Sequence, residues 1–298
     1  MISSKLFKKK RGGTIGVIIP KIDSAFLSSV ISGMERYASE NSFRLIIMQS
    51  HESGTRELDC LKTLQKAGVD GIMISLASNS KNMDHLLRLH NKGFPVTLFD
   101  RIIENPLIPY IEIDNKQASF EVTQHLISIG CKSIVHITGN LERNVYIDRL
   151  MGYKEALLFN QLEFDPRLVF VSELGLEAGE RIARLILEMK KKPDAIYAMN
   201  DITAVSCMSM LKKNGIKVPS QMAIAGFNND PVSRLVEPNL TTVNYPGFKM
   251  GLGAAQIMVN QLRGMTAKHI HKDNILRTDL IIRDSSNKDG QFGDSSDY

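Results

Sequence analysis

The 298-residue sequence predicts an α/β fold made of two Rossmann-like, doubly wound lobes with a ligand crevice between them. Three observations carry that expectation. Short apolar runs alternate with longer segments of helical period from one end to the other. The short runs are mostly continuous rather than alternating, as parallel strands covered on both faces require. The whole βα series also occurs twice, once before about Asp114 and once after it.

The strand candidates are 14–19, 44–48, 71–74 and 96–99 in the first series, then 134–137, 168–171, 195–199 and 222–227 in the second. Helices are expected at 26–38, 55–67, 82–91, 116–129, 178–189, 201–213 and 248–262. In the first of these, Phe26, Val30, Met34 and Tyr37 recur at three- and four-residue spacing, one face of a helix. Gly68, Gly93, Gly130 and Gly215 follow four of the helical runs as stop signals. The first lobe takes 14–113 and a return segment near 244–268, and the second takes 114–243 and 269–283. A basic stub, 1–13, precedes them, and a polar, glycine-rich tail, 284–298, is expected to be disordered.

Composition narrows the function classes. The net charge of +5 is carried by Lys5, Lys8, Lys9, Lys10 and Arg11, all before the first acid, Asp23, so the body of the chain is neutral. No apolar run is long enough to span a bilayer, and no h-region follows the basic amino terminus. Cys60, Cys131 and Cys207 are odd in number and lie in apolar surroundings, which suits a reducing, cytoplasmic location better than a disulfide framework. Catalysis finds no foothold. There is no nucleophile elbow and no phosphate-binding loop, and Gly251-Leu-Gly253 falls inside a helix where small residues serve close packing. His269 and His271 stand two apart in a strand-like segment and read as a solvated face rather than a metal site. No cofactor, metal or catalytic group is expected.

What remains is a set of polar residues where strands end. Asp100-Arg101 follows 96–99, Asp114-Asn115 follows 110–113, Asn200-Asp201 follows 195–199, and Asn228-Asn229-Asp230 follows 222–227. Ligands of open α/β sheets bind outside the carboxy ends of the strands. Carboxylates and amides there match the vicinal hydroxyls of a sugar or similar polyol. Asn115 and Asp201 are equally well placed as helix N-caps. Arg149, read as standing just before a helix, suits either a fork onto hydroxyls or a carboxylate, or an ion pair with Asp148 or a neighbouring acid.

These residues resemble the effector-binding core of LacI/GalR-type transcription regulators, whose fold is that of the type I periplasmic sugar-binding proteins. The likeness runs through Thr14-Ile-Gly-Val-Ile-Ile-Pro20, Val69-Asp-Gly-Ile72, Asp100-Arg101, Asp114-Asn115, Arg149-Leu-Met-Gly-Tyr153, Ala198-Met-Asn-Asp201, Gly226-Phe-Asn-Asn229 and Pro238-Asn-Leu-Thr-Thr-Val243. It implies effector contacts at Asp100, Arg149, Asn200 and Asn228, with Phe26 lining the pocket and Arg101 and Asp201 as secondary candidates. The family usually has aspartate where Asn228 stands, which exchanges a hydroxyl acceptor for a donor. No tryptophan is present, so Phe26 or Phe99 would have to stack on a sugar face. The resemblance further implies a homodimer, with operator DNA read only through an N-terminal helix-turn-helix. That head is expected to be missing from this chain, as a fragment of a longer regulator in preference to a natural truncation. The alternative is the solute-binding protein of a sugar transporter.

Overall fold

The structure is a computed structural model that describes residues 13–103, 107–265 and 274–287. In chain order its first elements are β1 (Thr14–Ile19), α1 (Ala25–Glu40), β2 (Arg44–Gln49), α2 (Gly54–Lys66), β3 (Gly71–Ile74), α3 (Met83–Asn91), β4 (Val96–Phe99) and β5 (Tyr110–Ile113). Next come α4 (Asn115–Ser128), β6 (Ile134–Thr138), α5 (Asn144–Phe159), β7 (Val169–Val171), α6 (Leu176–Glu188), β8 (Ala195–Ala198), α7 (Asp201–Lys213) and β9 (Ala223–Ala225). The last are α8 (Val232–Leu235), β10 (Thr242–Asn244), α9 (Gly247–Leu262), β11 (Ile275–Leu276) and β12 (Asp279–Ile281). Contacts divide the chain into two compact units, one of the described residues up to Glu112 with Pro246–Leu276, the other of Ile113–Tyr245 with those from Arg277 on. The chain therefore returns to the second unit after Leu276, later than the expected 269.

Unit 1 is built on a six-stranded sheet of order β11-β5-β4-β3-β1-β2, parallel across β2, β1, β3, β4 and β5. Its central strands are sealed on both faces: Gly71–Ile74 and Val96–Phe99 are buried throughout. Each fully buried Ile or Leu there contributes about 1.5–3 kcal/mol of hydrophobic stabilisation. Helices α1 and α9 pack so closely that a Cβ on Gly33 would run into the Phe248 carbonyl, and one on Gly251 into the Val30 carbonyl. Gly251 thus serves helix packing, as its position within a helix implied, while Gly253 lets α9 lie against Ile111 of β5.

Unit 2 carries a four-stranded parallel sheet, β7-β6-β8-β9, and an antiparallel ribbon, β10-β12. The glycine solution recurs here: a Cβ on Gly152 of α5 would overlap the Lys116 carbonyl of α4. The glycine stops behave as expected, with Gly68, Gly93, Gly130 and Gly215 all at positive φ.

Several expectations need correction. Residues 144–159 form one helix, so Arg149 is its sixth residue rather than a residue ahead of it. The stripe went unseen because a charged side chain occupies a buried position between Val145 and Tyr153. Strand β9 is shorter than the predicted 222–227: past Ala225 the chain pairs with 241–244 instead, through the Gly226 and Asn228 N–H groups, and a Cβ at Gly226 would strike the Asp201 carboxylate. Ser285 and Ser286, placed in a disordered tail, are fully buried. Ser285 Oγ donates to the Ile224 carbonyl and accepts from the Thr241 N–H, which stitches this segment to β9 and the approach to β10. The rest of that tail from 288, the basic stub 1–12, and the pair His269 and His271 lie outside the described residues.

Candidate functional site

At the carboxy edge of the unit 1 sheet, β4 ends directly in Asp100. The residue has positive φ (60°) and is 6% exposed, while its N–H donates to the Ile111 carbonyl. The Ser75 hydroxyl, at the end of β3, donates to its Oδ2 at 3.3 Å. Arg101 turns the other way and forks onto Glu52, with Nη1 2.7 Å from both carboxylate oxygens. Glu52 also accepts from the Ser78 N–H and hydroxyl. Burial pushes the Glu52 carboxyl up, but Arg101 and the Ser78 bonds outweigh it and hold the group below the usual carboxylate range. Arg101 is therefore committed to holding the loops after β2, β3 and β4 together. Phe26 is the second residue of α1 and 9% exposed, with its backbone and ring beside Gly247. Phe99, proposed as a stacking platform, is fully buried in β4 and cannot offer a face.

In unit 2 the strand ends gather around Arg149, which is 3% exposed. Its Nε donates to Asn115 Oδ1 at 2.8 Å and Nη1 to the Met199 carbonyl at 3.4 Å. The guanidinium carbon lies 3.6 Å from the centroid of the Phe227 ring and 5.3 Å from that of Tyr245. Aromatic faces attract a cation in this geometry, by as much as ~2 kcal/mol where water is excluded. The alternative of an ion pair with Asp148 is not realised: among the described residues no carboxylate lies within salt-bridge distance of Arg149.

The neighbouring amides are placed by helix capping and a turn. Asn200 caps α7, its Oδ1 accepting from the Thr203 N–H at 2.8 Å. Its Nδ2 makes no hydrogen bond among the described residues. Asp114 rather than Asn115 caps α4, because a capping oxygen must reach the third residue ahead, here Gln117. Asn115 is released to hold Arg149. Asn228 has φ 118° and its Nδ2 donates to Asp230 Oδ2 at 3.4 Å.

Asp201 is a different kind of residue from the one the resemblance implied. It is fully buried, with Oδ1 accepting from the Thr242 hydroxyl at 2.6 Å and Oδ2 from the Asp230 N–H at 2.7 Å. It straps α7 to β10 and to the Asn228–Asp230 turn, and so positions Asn228 rather than offering itself to a ligand. Burial, outweighing those two bonds, raises its carboxyl to about 7.

Asn115, Phe227 and Tyr245 were not singled out for these roles. Phe227 was legible only as the residue before Asn228; that its ring supports Arg149 depends on two elements far apart in sequence. His136 is fully buried on β6 and stacks on Tyr153 with centroids 4.7 Å apart. Burial first, and then Arg149 and Lys154, push its imidazole down to about 3, so it is neutral beside the guanidinium.

Residues 12–284 match the family described as periplasmic binding proteins and sugar binding domain of LacI family. The chain is 30% identical over 258 residues to catabolite control protein A of Priestia megaterium, covering 86% of this chain and 77% of that protein. Among solved structures, the transcription regulator CcpA of Lactococcus lactis superposes with a TM-score of 0.83 at 29% identity, over 92% of this chain and 99% of that one. The transcriptional regulator CelR in complex with cellobiose gives a TM-score of 0.83 at 26% identity, over 91% and 84%.

Proposed function

This chain belongs to the family of periplasmic binding proteins and LacI-type sugar-binding domains, and we propose that its polar strand ends bind a sugar or sugar derivative as the signal of a transcription regulator. The chain is the effector-binding core of such a regulator. The proposal assigns the contacts to Asp100 and Phe26 in unit 1 and to Arg149, Asn200 and Asn228 in unit 2. One observation carries it: a buried guanidinium held by an amide, a carbonyl and an aromatic face, with no carboxylate partner among the described residues. Such a group has donors left over for a ligand. Asp201 and the Glu52–Arg101 pair act through others, by fixing the turns that bear Asn228 and Asp100.

An effector acts by binding two states of the core unequally, and a coupling of roughly 1–3 kcal/mol to DNA affinity is usual for such systems. The same reading includes a homodimer working in the cytoplasm. Among the described residues no helix is long and apolar enough to cross a membrane. The relatives named above are regulators rather than enzymes.

Arg149→Ala tests the assignment. A panel of mono- and disaccharides, with their acids and phosphates, is screened by thermal shift, and light scattering on the same samples reports the dimer. The wild type is expected to be stabilised by at least one compound. The variant should keep its circular dichroism spectrum and lose that response. Undiminished affinity in the variant would remove Arg149 from the site.

A further inference from the structure

The carboxy edge of the unit 2 sheet is electrostatically one-sided. Arg149 is buried, and its hydrogen bonds go to two neutral oxygens, Asn115 Oδ1 and the Met199 carbonyl. Of the five N–H groups of a guanidinium, those of Nη2 have no hydrogen-bond partner among the described residues. The α4 and α7 helices begin beside it, at Asp114 and Asn200, with the positive ends of their dipoles. The Nδ2 group of Asn200, one residue from the Met199 carbonyl that Arg149 touches, is a further donor without a partner among the described residues. Within unit 2 the carboxylates Asp201 and Asp230 at these strand ends do not balance the charge. Both oxygens of Asp201 are taken by Thr242 and Asp230, and Asp230 Oδ2 is turned to Asn228.

A buried cation without a counter-ion keeps a desolvation penalty that an aromatic face offsets only in part. A neutral hydroxyl would satisfy the spare donors but leave the charge. An oxyanion would satisfy both, through charge-assisted and forked hydrogen bonds. The geometry points to an effector that carries an anionic group, a carboxylate or phosphate on a sugar-sized body, seated against Arg149. This rests on the effector-binding reading above and names the ligand class within it.

Titration calorimetry at fixed ionic strength separates the two claims. The probes are glucose and galactose, their acids gluconate and galacturonate, and their 6-phosphates. At least one acid or phosphate is expected to bind the wild-type chain about tenfold or more tighter than its neutral parent, the difference between a charge-assisted and a neutral hydrogen-bond set. Acids alone responding assigns a planar carboxylate; phosphates alone, a tetrahedral group. Arg149→Met keeps much of the buried volume and should erase the preference, bringing acid and parent within about threefold of each other. Asn228→Asp adds a carboxylate to the turn that Asp201 holds and should narrow the preference in a chain whose Arg149 is intact, which keeps the test alive if the methionine variant fails to fold. Neutral sugars binding as tightly as their acids would overturn the anionic inference and leave the effector reading standing. Binding by none of the probes would overturn both.

Discussion

The two units solve their packing alike and their electrostatics differently. Each docks helix pairs through glycine, Gly33 and Gly251 between α1 and α9 in unit 1, and Gly152 between α5 and α4 and Gly179 between α6 and α7 in unit 2. At the carboxy edge of the unit 1 sheet, however, charge is answered from within. Glu52 meets Arg101, and the buried Glu57 accepts from the Ala77 N–H, the Ser80 hydroxyl and the Asn82 amide. In unit 2 the buried Arg149 rests on amide, carbonyl and ring. The difference teaches that unit 1 spends Glu52 and Glu57 on holding its loops. Unit 2 keeps charge in reserve, and under the reading proposed above discrimination between ligands by charge would fall to it.

The largest effects should come from breaking what the units share. Gly152→Ala forces α5 away from the backbone of α4, and Gly251→Ala does the same between α9 and α1. Each should cost about 2–3 kcal/mol, in the range of overpacked cores. Hydrogen exchange separates them: protection should fall in α4 and α5 for the first and in α1 and α9 for the second. Only the first moves the helix that carries Arg149, so only it should also weaken effector binding.

The next effect sharpens the contrast in pH. Asp201 titrates near 7 in the fold and near 3.9 in an unfolded chain. Its folded state favours the proton, so its contribution is complete below the unfolded value and is lost as pH rises through about 7. Unit 2 should gain stability, on the order of a few kcal/mol, as pH falls from 8 toward 4. Asp201→Asn should flatten that slope in a denaturant series across the range.

Glu52→Gln is the smallest. Arg101 and Glu52 are mostly shielded, at 14% and 28% side-chain exposure, and losing the pair should cost about 1 kcal/mol. Because the Glu52 carboxyl is depressed in the fold, its contribution holds at neutral pH and disappears as pH drops through its folded value. Acid should therefore loosen unit 1 through Glu52 only as pH falls below the ordinary carboxylate range, after most of the strengthening of unit 2 through Asp201 has been gained. Monitoring the Tyr197 and Tyr245 signals of unit 2 against exchange in unit 1 would show whether the two responses have opposite sign.

How much of this was legible beforehand varies by residue. The strands 14–19, 71–74 and 96–99 matched the structure residue for residue, because buried parallel strands are short, mostly apolar runs bounded by polar or glycine-bearing segments. Helix α5 was lost because Arg149 breaks its apolar stripe, and the buried serines at 285 and 286 were lost because hydroxyls in a polar segment look like linker. Asn200 and Asp114 cap α7 and α4, each one residue before the expected caps Asp201 and Asn115. That single-residue difference decides which side chain faces inward to hold the fold and which remains to touch Arg149.

By itself the sequence determined the βα order, the places where strands end in polar residues, and the family likeness that those endings carry. All three are written in local pattern, in hydrophobic period and in residues adjacent in the chain. Only the tertiary structure decided that Asp201 is a strap, that Arg101 is spent on Glu52, and that Arg149 has amides and rings in place of a counter-ion. Those outcomes depend on groups brought together from distant positions, where burial sets the cost of a charge and the partner at hand decides whether that cost is met.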